Sequence, residues 1–236
     1  RKGRALVLTD AGRVALDYAE QIFTAGEELV ATLAHEGHAA PPLRVGALST
    51  LSRNFQLQFL RPLFADGDAC VVLRSGGTTE LLAALETRSL DVVLTTEIPD
   101  RNAATPFAAR RIAEQTVGLH GRSAFLGGQT LGDILATAPI ILPTQSVIQT
   151  QFEDLTVRLG VTPDIVASVD DMAMVRLLAR EGVGLAVAPE VVLADEIASG
   201  VVATAPFELG IVEPFFAVTL PGKYPHPALA DVLAAQ

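Results

Sequence analysis

From Leu43 onward, short apolar runs rich in valine, isoleucine and leucine alternate with longer segments of helical periodicity. Alternation of this kind is typical of α/β domains, in which mostly parallel strands are covered by helices on both faces. The predicted strands are 43–49, 70–74, 90–95, 115–120, 139–142, 164–168, 183–188 and 215–220. The predicted helices are 53–65, 77–87, 147–159, 170–181, 190–198 and 226–235.

One helix–strand unit recurs later in the chain, at an ungapped offset of roughly 93 residues. The recurring pairs are Leu81 and Met174, Leu82 and Val175, Leu85 and Leu178, Leu90 and Val183, Val92 and Leu185, Leu94 and Val187, and Glu97 and Glu190. The recurrence predicts two similar α/β halves, although two unrelated units that pack alike would give the same pattern. We expect strands to cross between the halves near 112–119 and 215–221, which would leave a cleft between them.

Small polar residues follow the predicted strands in both halves, at the points where strands lead into helices. Ligands of open parallel sheets bind beyond these carboxyl ends, where helix N-termini present unpaired N–H groups. The same residue types cap helices without any ligand, so each position has two explanations. The candidates for contact with a ligand are Ser49, Thr50, Gly77, Thr78, Thr96, Glu97, Thr144, Gln145, Ser146 and Asp171.

The charge of an expected ligand depends on which of these groups face the cleft. Exposed helix N-termini favour a carboxylate or a phosphate, by about 0.3 to 1 kcal/mol per terminus. The carboxylates of Glu97 and Asp171 oppose that preference, and they favour a cation or an amine if both face the cleft. The sequence therefore leaves the sign of the ligand's charge open.

The chain is acidic, with a net charge of −10, which disfavours nonspecific binding to a phosphate backbone. The exception is the basic start of the chain, where Arg1, Lys2, Arg4 and Arg13 cluster. Such a cluster fits contact with DNA phosphates, and it equally fits a solvated terminus.

A long amphipathic helix is predicted before the α/β domain. No proline occurs from Arg13 to Leu33, and one apolar stripe recurs at steps of three or four residues. Thr9 or Asp10 can cap its start, and some 25 helical residues would span roughly 37 Å. A stripe of that length predicts a partner helix. Its residues are Val14, Tyr18, Ile22, Ala25, Leu29 and Leu33.

The opening Arg4–Arg13, followed by a long helix and an α/β domain, resembles LysR-type transcriptional regulators over essentially the whole chain. Within that family, several short motifs resemble the sodium/proton antiporter regulator subgroup, which points toward sodium or proton sensing. These motifs are Leu142-Pro143-Thr144, Gly182-Val183-Gly184-Leu185, Pro189 and His226-Pro227. A small metabolite remains the preferred effector hypothesis, ahead of a directly bound alkali cation.

The resemblance implies an architecture for the whole chain. Residues 1–8 would be the remnant of a winged helix-turn-helix wing, and residues 9–36 would be a linker and dimerisation helix. Two Rossmann-like subdomains with a periplasmic-binding-protein-like hinge and cleft would follow. Effector subdomain I would comprise 43–114 and 222–236, and effector subdomain II would comprise 115–221.

The resemblance also implies partners and roles. Arg1, Lys2 and Arg4 would contact the DNA backbone, and most of the DNA-binding domain would precede Arg1. Val14, Tyr18, Ile22, Leu29 and Leu33 would pair subunits into a homodimer or homotetramer. The candidate ligand contacts would line an effector cleft, and RNA polymerase is a further candidate partner.

The sequence does not match the catalytic and metal-binding motifs with which we compared it. His35-Glu36-Gly37-His38 is one residue short of zinc-binding spacing, and Ser123 lacks the second glycine of a nucleophile elbow. His120 and His226 are expected to be cap or surface residues, and Cys70 is expected to be a buried strand thiol. We therefore expect no enzyme activity, no metal and no cofactor.

Two other classes of protein remain to be weighed against a regulator. A periplasmic-type solute-binding receptor would explain two halves and a cleft, but not the basic opening and the striped helix. A small α/β enzyme such as a transferase would need a catalytic cluster. Neither a signal-peptide pattern nor an apolar run long enough to span a membrane is found in the sequence, which favours the cytoplasm.

Overall fold

The computed structural model of the chain describes residues 9, 11–13, 15–16, 18–19, 22–23, 26, 30, 42–65, 70–100, 107–144, 146–221 and 226–234. Several residues with predicted roles lie outside these ranges, namely Arg1, Lys2, Arg4, Asp10, Val14, Ala25, Leu29, Leu33 and Gln145.

The strands are β1 (Leu43–Leu48), β2 (Val71–Gly76), β3 (Val92–Thr95), β4 (Ala108–Gly121), β5 (Pro139–Pro143), β6 (Asp164–Val169), β7 (Leu185–Pro189), β8 (Ala203–Thr204) and β9 (Val212–Thr219). The helices are α1 (Arg53–Leu60), α2 (Thr78–Glu86), α3 (Leu131–Thr137), α4 (Val147–Leu159), α5 (Met172–Glu181), α6 (Ala194–Ala198) and α7 (Pro227–Ala234). Short 3-10 turns occur at Arg61–Phe64, Ser123–Phe125 and Glu190–Leu193.

The strand order is β2-β1-β3-β9-β4-β7-β5-β6, with β8 paired to β4. Strand β1 lies between β2 and β3, and β5 lies between β6 and β7, all in parallel. We call residues 43–97 lobe I and residues 131–193 lobe II. The expectation of mostly parallel pairing is wrong for the centre of the sheet, because β9 and β4 run antiparallel to their neighbours.

The long strand β4 runs alongside both lobes, and along it the carboxyl ends of the parallel strands of lobe I face those of lobe II. Its residue Arg111 lies opposite Phe216 of β9, which lies opposite Thr95 at the end of β3. Further along β4, Val117 lies opposite Pro189 at the end of β7. At about 3.3 Å per residue, the two sets of strand ends are roughly 20 Å apart along β4.

The helix–strand recurrence corresponds to equivalent elements of the two lobes. Strands β3 and β7 begin at Val92 and Leu185, which the recurrence pairs. The helices are displaced by one residue from the pairing that the recurrence gives. It pairs Leu81 of α2 with Met174 of α5, but Leu81 is buried and Met174 is exposed, and the buried residue of α5 is the next one, Val175. Both lobes therefore have the same helix–strand connectivity. The recurrence aligns their strands without offset and their helices to within one residue.

Each lobe has a packed apolar interior. The most buried side chains include Phe59, Leu81 and Leu94 in lobe I, and Ile140 and Phe152 in lobe II. Each such side chain contributes roughly 1.5 to 3 kcal/mol relative to remaining exposed, which fixes the frame on which the loops are held.

The expectations for Cys70 and His120 are corrected. Cys70 directly precedes β2 and is exposed. Its exposure follows from the position of β2 at the edge of the sheet, where a strand has a neighbour on one side only. His120 is buried within β4 instead of lying at the surface. Helix α3 and strand β8 were not anticipated. His226 does act as a cap, since its Nδ1 accepts from the Ala228 N–H at 3.2 Å.

The first part of the chain is described at isolated positions, and the described residues from Ala11 to Val30 are helical. Thr9 caps this segment, because its Oγ1 accepts from the Gly12 N–H at 3.0 Å. Large apolar side chains here are exposed, with Ile22 at 71% and Phe23 at 73%. Among the helices in the described residues, none has the length and apolarity that a bilayer crossing requires.

Candidate functional site

In lobe I, the turn after β1 leads directly into α1. The Ser49 N–H donates to the Gly76 carbonyl at 3.2 Å, and Ser49 and Thr50 are half-buried. Ser52 caps α1 through its Oγ, which accepts from the Phe55 N–H at 3.4 Å. Because Ser52 satisfies the helix start, the side chains of Ser49 and Thr50 are not needed as its caps.

The end of β3 carries an exposed carboxylate on a fixed backbone. Thr95 is buried, and its Oγ1 accepts from the Glu97 N–H at 2.8 Å. Thr96 is buried and Glu97 is exposed. The threonine therefore sets the direction in which the chain leaves the sheet, and sequence reasoning had passed over it.

In lobe II, the loop after β5 leads into α4. The Thr144 N–H donates to the Val169 carbonyl at 2.8 Å. Ser146 caps α4, with its Oγ accepting from the Gln149 N–H at 3.3 Å and donating to the Pro143 carbonyl at 3.4 Å. The hydroxyl thus has a structural role at the start of the helix.

The remaining candidates lie at the outer strands. Gly77 and Thr78 are exposed after β2, and Asp171 follows β6. The Asp171 carboxylate caps α5 by accepting from the Ala173 N–H at 2.9 Å. Since β2 and β6 lie at opposite edges of the sheet, these three residues are peripheral to the space between the lobes.

A depression of about 410 Å³ joins the two lobes. It brings together Glu97 from the end of β3 and Ser146 from the start of α4. Its lining is Glu97, Ser146, Val147, Gln149, Thr150 and Gln151. A second depression, of about 480 Å³, is lined by residues between Ala124 and Ala138 alone. Only the first can respond to a change in the angle between the lobes, because the second lies within one segment.

Contacts from α1 reach lobe II and the central strand β9. The Asn54 Nδ2–H donates to the Val191 carbonyl at 2.9 Å, joining lobe I to lobe II. Phe55 stacks on Phe215 of β9, with ring centroids 4.0 Å apart and an interplanar angle of 24°. Neither contact was predicted, because each joins residues that are distant in sequence.

A buried carboxyl lies between the lobes on β9. Glu213 is 2% exposed, and its Oε1 has no hydrogen-bond partner among the described residues. Burial raises the pKa of Glu213 to about 8. Sequence reasoning missed this residue, because a glutamate beside Pro214 is more typical of a turn than of a buried strand.

In the part of the chain that the structure describes, no three His, Cys, Asp or Glu side chains are grouped so as to hold an ion. The polar groups at the strand ends are instead hydroxyls, amides and helix N-termini, which suit hydrogen bonding to an organic ligand or anion.

Paired α/β lobes, facing strand ends and a shared depression define a two-lobed ligand-binding domain. The family model described as "LysR substrate binding domain" matches residues 36–235, and the chain belongs to this family. It holds the effector-binding regulatory domain of a LysR-type transcriptional regulator. The family consists of transcription factors, so membership confirms a regulator in preference to an enzyme.

Solved structures share this fold. The bromide-bound regulatory domain of HypT from Salmonella typhimurium matches with a TM-score of 0.66 and 14% identity, over 85% of this chain and 99% of that one. CbnR, a LysR family transcriptional regulator, matches with a TM-score of 0.66 and 22% identity, over 99% and 82%. The Synechocystis PCC6803 CcmR regulatory domain in complex with 2-PG matches with a TM-score of 0.63 and 15% identity, over 82% of this chain and 96% of that one. Comparison with curated protein sequences finds no match.

Proposed function

We propose that a small-molecule effector binds between lobes I and II and selects one angle between them. The facing carboxyl ends of the two parallel strand groups carry this proposal, because loops from both lobes meet at one depression. The proposed contacts at the inner strands are Ser49, Thr50, Thr96, Glu97, Thr144 and Ser146, with Gln145 added from the sequence. Gly77, Thr78 and Asp171 would contribute at the periphery.

A small metabolite is the effector class that these groups favour. The N-termini of α1 and α4 offer N–H donors. Gln149 and Gln151 also line the depression, where their side-chain amides donate to Glu153 and to the Val212 carbonyl. The single carboxylate of Glu97 would select a ligand that also carries a donor. That CcmR was solved with 2-PG supports a small metabolite as the class.

Membership of the sodium/proton antiporter regulator subgroup, and with it the binding of sodium, is supported only by the short sequence motifs. Its test is calorimetric titration with sodium against potassium at fixed ionic strength. A sodium-specific heat would support the cation, and equal traces would exclude it.

Binding would act on DNA by shifting a population of hinge angles. We propose that residues 43–114 with 222–236 and residues 115–221 move as two units. Residues 9–36 would pair subunits into a homodimer or homotetramer in the cytoplasm. A winged helix-turn-helix that includes Arg1, Lys2 and Arg4 would contact double-stranded DNA, with RNA polymerase as a further partner.

A matched pair of cap variants tests the proposed site. Metabolites that raise the melting temperature are first found by thermal shift, and their affinity is then measured by calorimetry. Ser146→Ala removes the cap of α4 at the depression, and Thr130→Ala removes the cap of α3 outside it. Both changes should cost about 0.5 to 2 kcal/mol of stability.

The two variants should differ in affinity. Ser146→Ala should weaken effector binding at least tenfold, while Thr130→Ala should leave it unchanged. Equal affinities in the two variants would contradict the proposed site.

A further inference from the structure

Glu213 lies where the two lobes are joined by the smallest number of strands. Its partner in register is Gln115 of β4, which lies between Arg111 at the level of lobe I and Val117 at the level of lobe II. Within the described residues, 212–215 pair with β4 alone. A two-stranded connection is the part of such a sheet that can bend while the flanking groups stay rigid.

The face of β9 that holds Glu213 packs next to a contact between the lobes. Side chains alternate along a strand, so Glu213 lies on the same face of β9 as Phe215. Phe215 stacks on Phe55 of α1, and the neighbouring Asn54 is hydrogen-bonded to Val191 of lobe II. A change in the angle between the lobes would therefore disturb the packing on the face that holds the carboxyl.

Arginines on two neighbouring elements are engaged with other partners. The Arg53 guanidinium of α1 donates to Ser75 at 2.6 Å, and Arg111 of β4 pairs with Glu114. Other charged or titratable groups on the elements around β9 are Arg110 and His120 of β4, Glu153, Asp154 and Arg158 of α4, and Glu190 of the 3-10 turn. Burial is the cause of the raised pKa of Glu213.

We propose that Glu213 couples the angle between the lobes to proton binding, so that the closed arrangement holds the carboxyl neutral and opening hydrates and ionises it. This inference rests on the proposed hinge, but it requires no effector. Burying a neutral carboxyl without a partner at Oε1 costs much less free energy than burying a carboxylate there, which would demand water.

The direction of the effect follows from linkage. The pKa of Glu213 is about 8 in the closed arrangement, and 4.5 is its ordinary value. Between these two values the closed arrangement holds a proton that an open one has lost. The ratio of closed to open molecules should therefore fall, by up to about tenfold per pH unit, as the pH rises toward 8, and should then level off.

The experiment measures the distance between the lobes in the full chain as a function of pH. One dye is attached at the exposed Cys70 of lobe I, and the other at Val157→Cys on the exposed side of α4 in lobe II. Energy transfer is recorded from pH 5.5 to 9 without effector. The comparison variants are Glu213→Gln, Glu213→Asp, which keeps an ionisable group, and Glu86→Gln, which removes an exposed carboxyl at the end of α2, away from the proposed site.

We expect energy transfer in the parent and in Glu86→Gln to change up to about pH 8 and then remain constant. Glu213→Gln should give a flat profile, and Glu213→Asp should restore a pH-dependent one with a displaced midpoint. A flat parent profile, or the same pH response in Glu213→Gln, would overturn the proposal. Effector binding in the Ser146 and Thr130 variants is read separately, so the failure of one proposal does not decide the other.

Discussion

The side-chain amide of Asn54 is hydrogen-bonded to the main-chain carbonyl of Val191, 137 positions further along the chain, at 2.9 Å. This bond joins the first turn of α1 to the 3-10 turn after β7, and so holds lobe I to lobe II. Because it crosses between the lobes, its strength bears on the angle between them as well as on overall stability.

Replacing Asn54 by alanine should favour the open arrangement. The loss of one hydrogen bond should lower the free energy of unfolding by about 0.5 to 1.5 kcal/mol and should reduce energy transfer between the dyes at Cys70 and Val157→Cys. The matched control is Gln56→Ala, which removes a bond of 2.9 Å from Nε2 to the Leu51 carbonyl within lobe I. The control should lower stability while leaving the inter-lobe distance unchanged, and a distance change of equal size in both would refute the role of Asn54.

Glu213→Gln should make the protein more stable in alkaline solution. Because burial raises the pKa of Glu213 from 4.5 to about 8, the native state holds a proton that the unfolded state has lost between these values. Its contribution is therefore complete below about pH 4.5 and is lost as the pH rises to about 8. Urea unfolding at pH 8.5 should show the variant to be more stable by roughly 2 to 5 kcal/mol.

The stability difference between Glu213→Gln and the parent should shrink toward pH 5. A difference that does not vary with pH would mean that the carboxyl does not titrate in this range.

His120 should make the protein less stable in acid. Its Nε2–H donates to the Ala188 carbonyl at 3.0 Å, which leaves Nδ1 to accept from the Thr204 hydroxyl at 2.9 Å. Burial lowers the pKa of His120, an effect that the Ala188 bond and Glu190 partly offset. Since the unfolded state takes up a proton first, stability is lost as the pH falls below about 6.5.

The variant His120→Gln separates titration from packing. It should be less stable than the parent at pH 8, by about 1 to 3 kcal/mol, because two buried hydrogen bonds are disturbed. Thermal unfolding between pH 5 and 8 should show a shallower decline in the variant. A decline as steep as that of the parent would assign the acid sensitivity to another group.

The exposed apolar residues of the first helical segment should mediate self-association. Ile22→Asp should weaken a dimer in sedimentation experiments, because a charge would enter the buried seam between two helices. Val157→Asp is the matched control, since Val157 is 80% exposed on α4. A monomeric parent, or equal weakening by both variants, would count against the pairing helix.

Much of the fold could be predicted from the sequence, because the periodicity of apolar residues is a local signal. Strands β1, β3, β5 and β7 are buried along most of their length and appear as short apolar runs, which only Arg44 of β1 interrupts with a charge. Strand β4 was predicted too short, since Arg110, Arg111 and Glu114 interrupt its pattern on an exposed face. Helix α3 was missed, although its Thr130 and Asp133 form a capping box that the sequence contains.

The candidate site could be predicted only in part. The polar loops at strand ends follow from the topology of parallel sheets, and six of the described candidates lie at the inner strands. Asn54, Thr95 and Glu213 gain their roles from contacts or burial that the finished fold creates. No local pattern distinguishes a glutamate that will be buried between two lobes from one that will be solvated.

Amide hydrogen exchange with and without an effector found by thermal shift tests the central claim most directly, because it locates the ligand on the chain. We expect protection in peptides that cover 49–54, 95–97, 143–151 and 189–193, where the strand ends of both lobes meet. Protection confined to residues 124–138, which line the other depression, or to lobe I alone, would contradict the account.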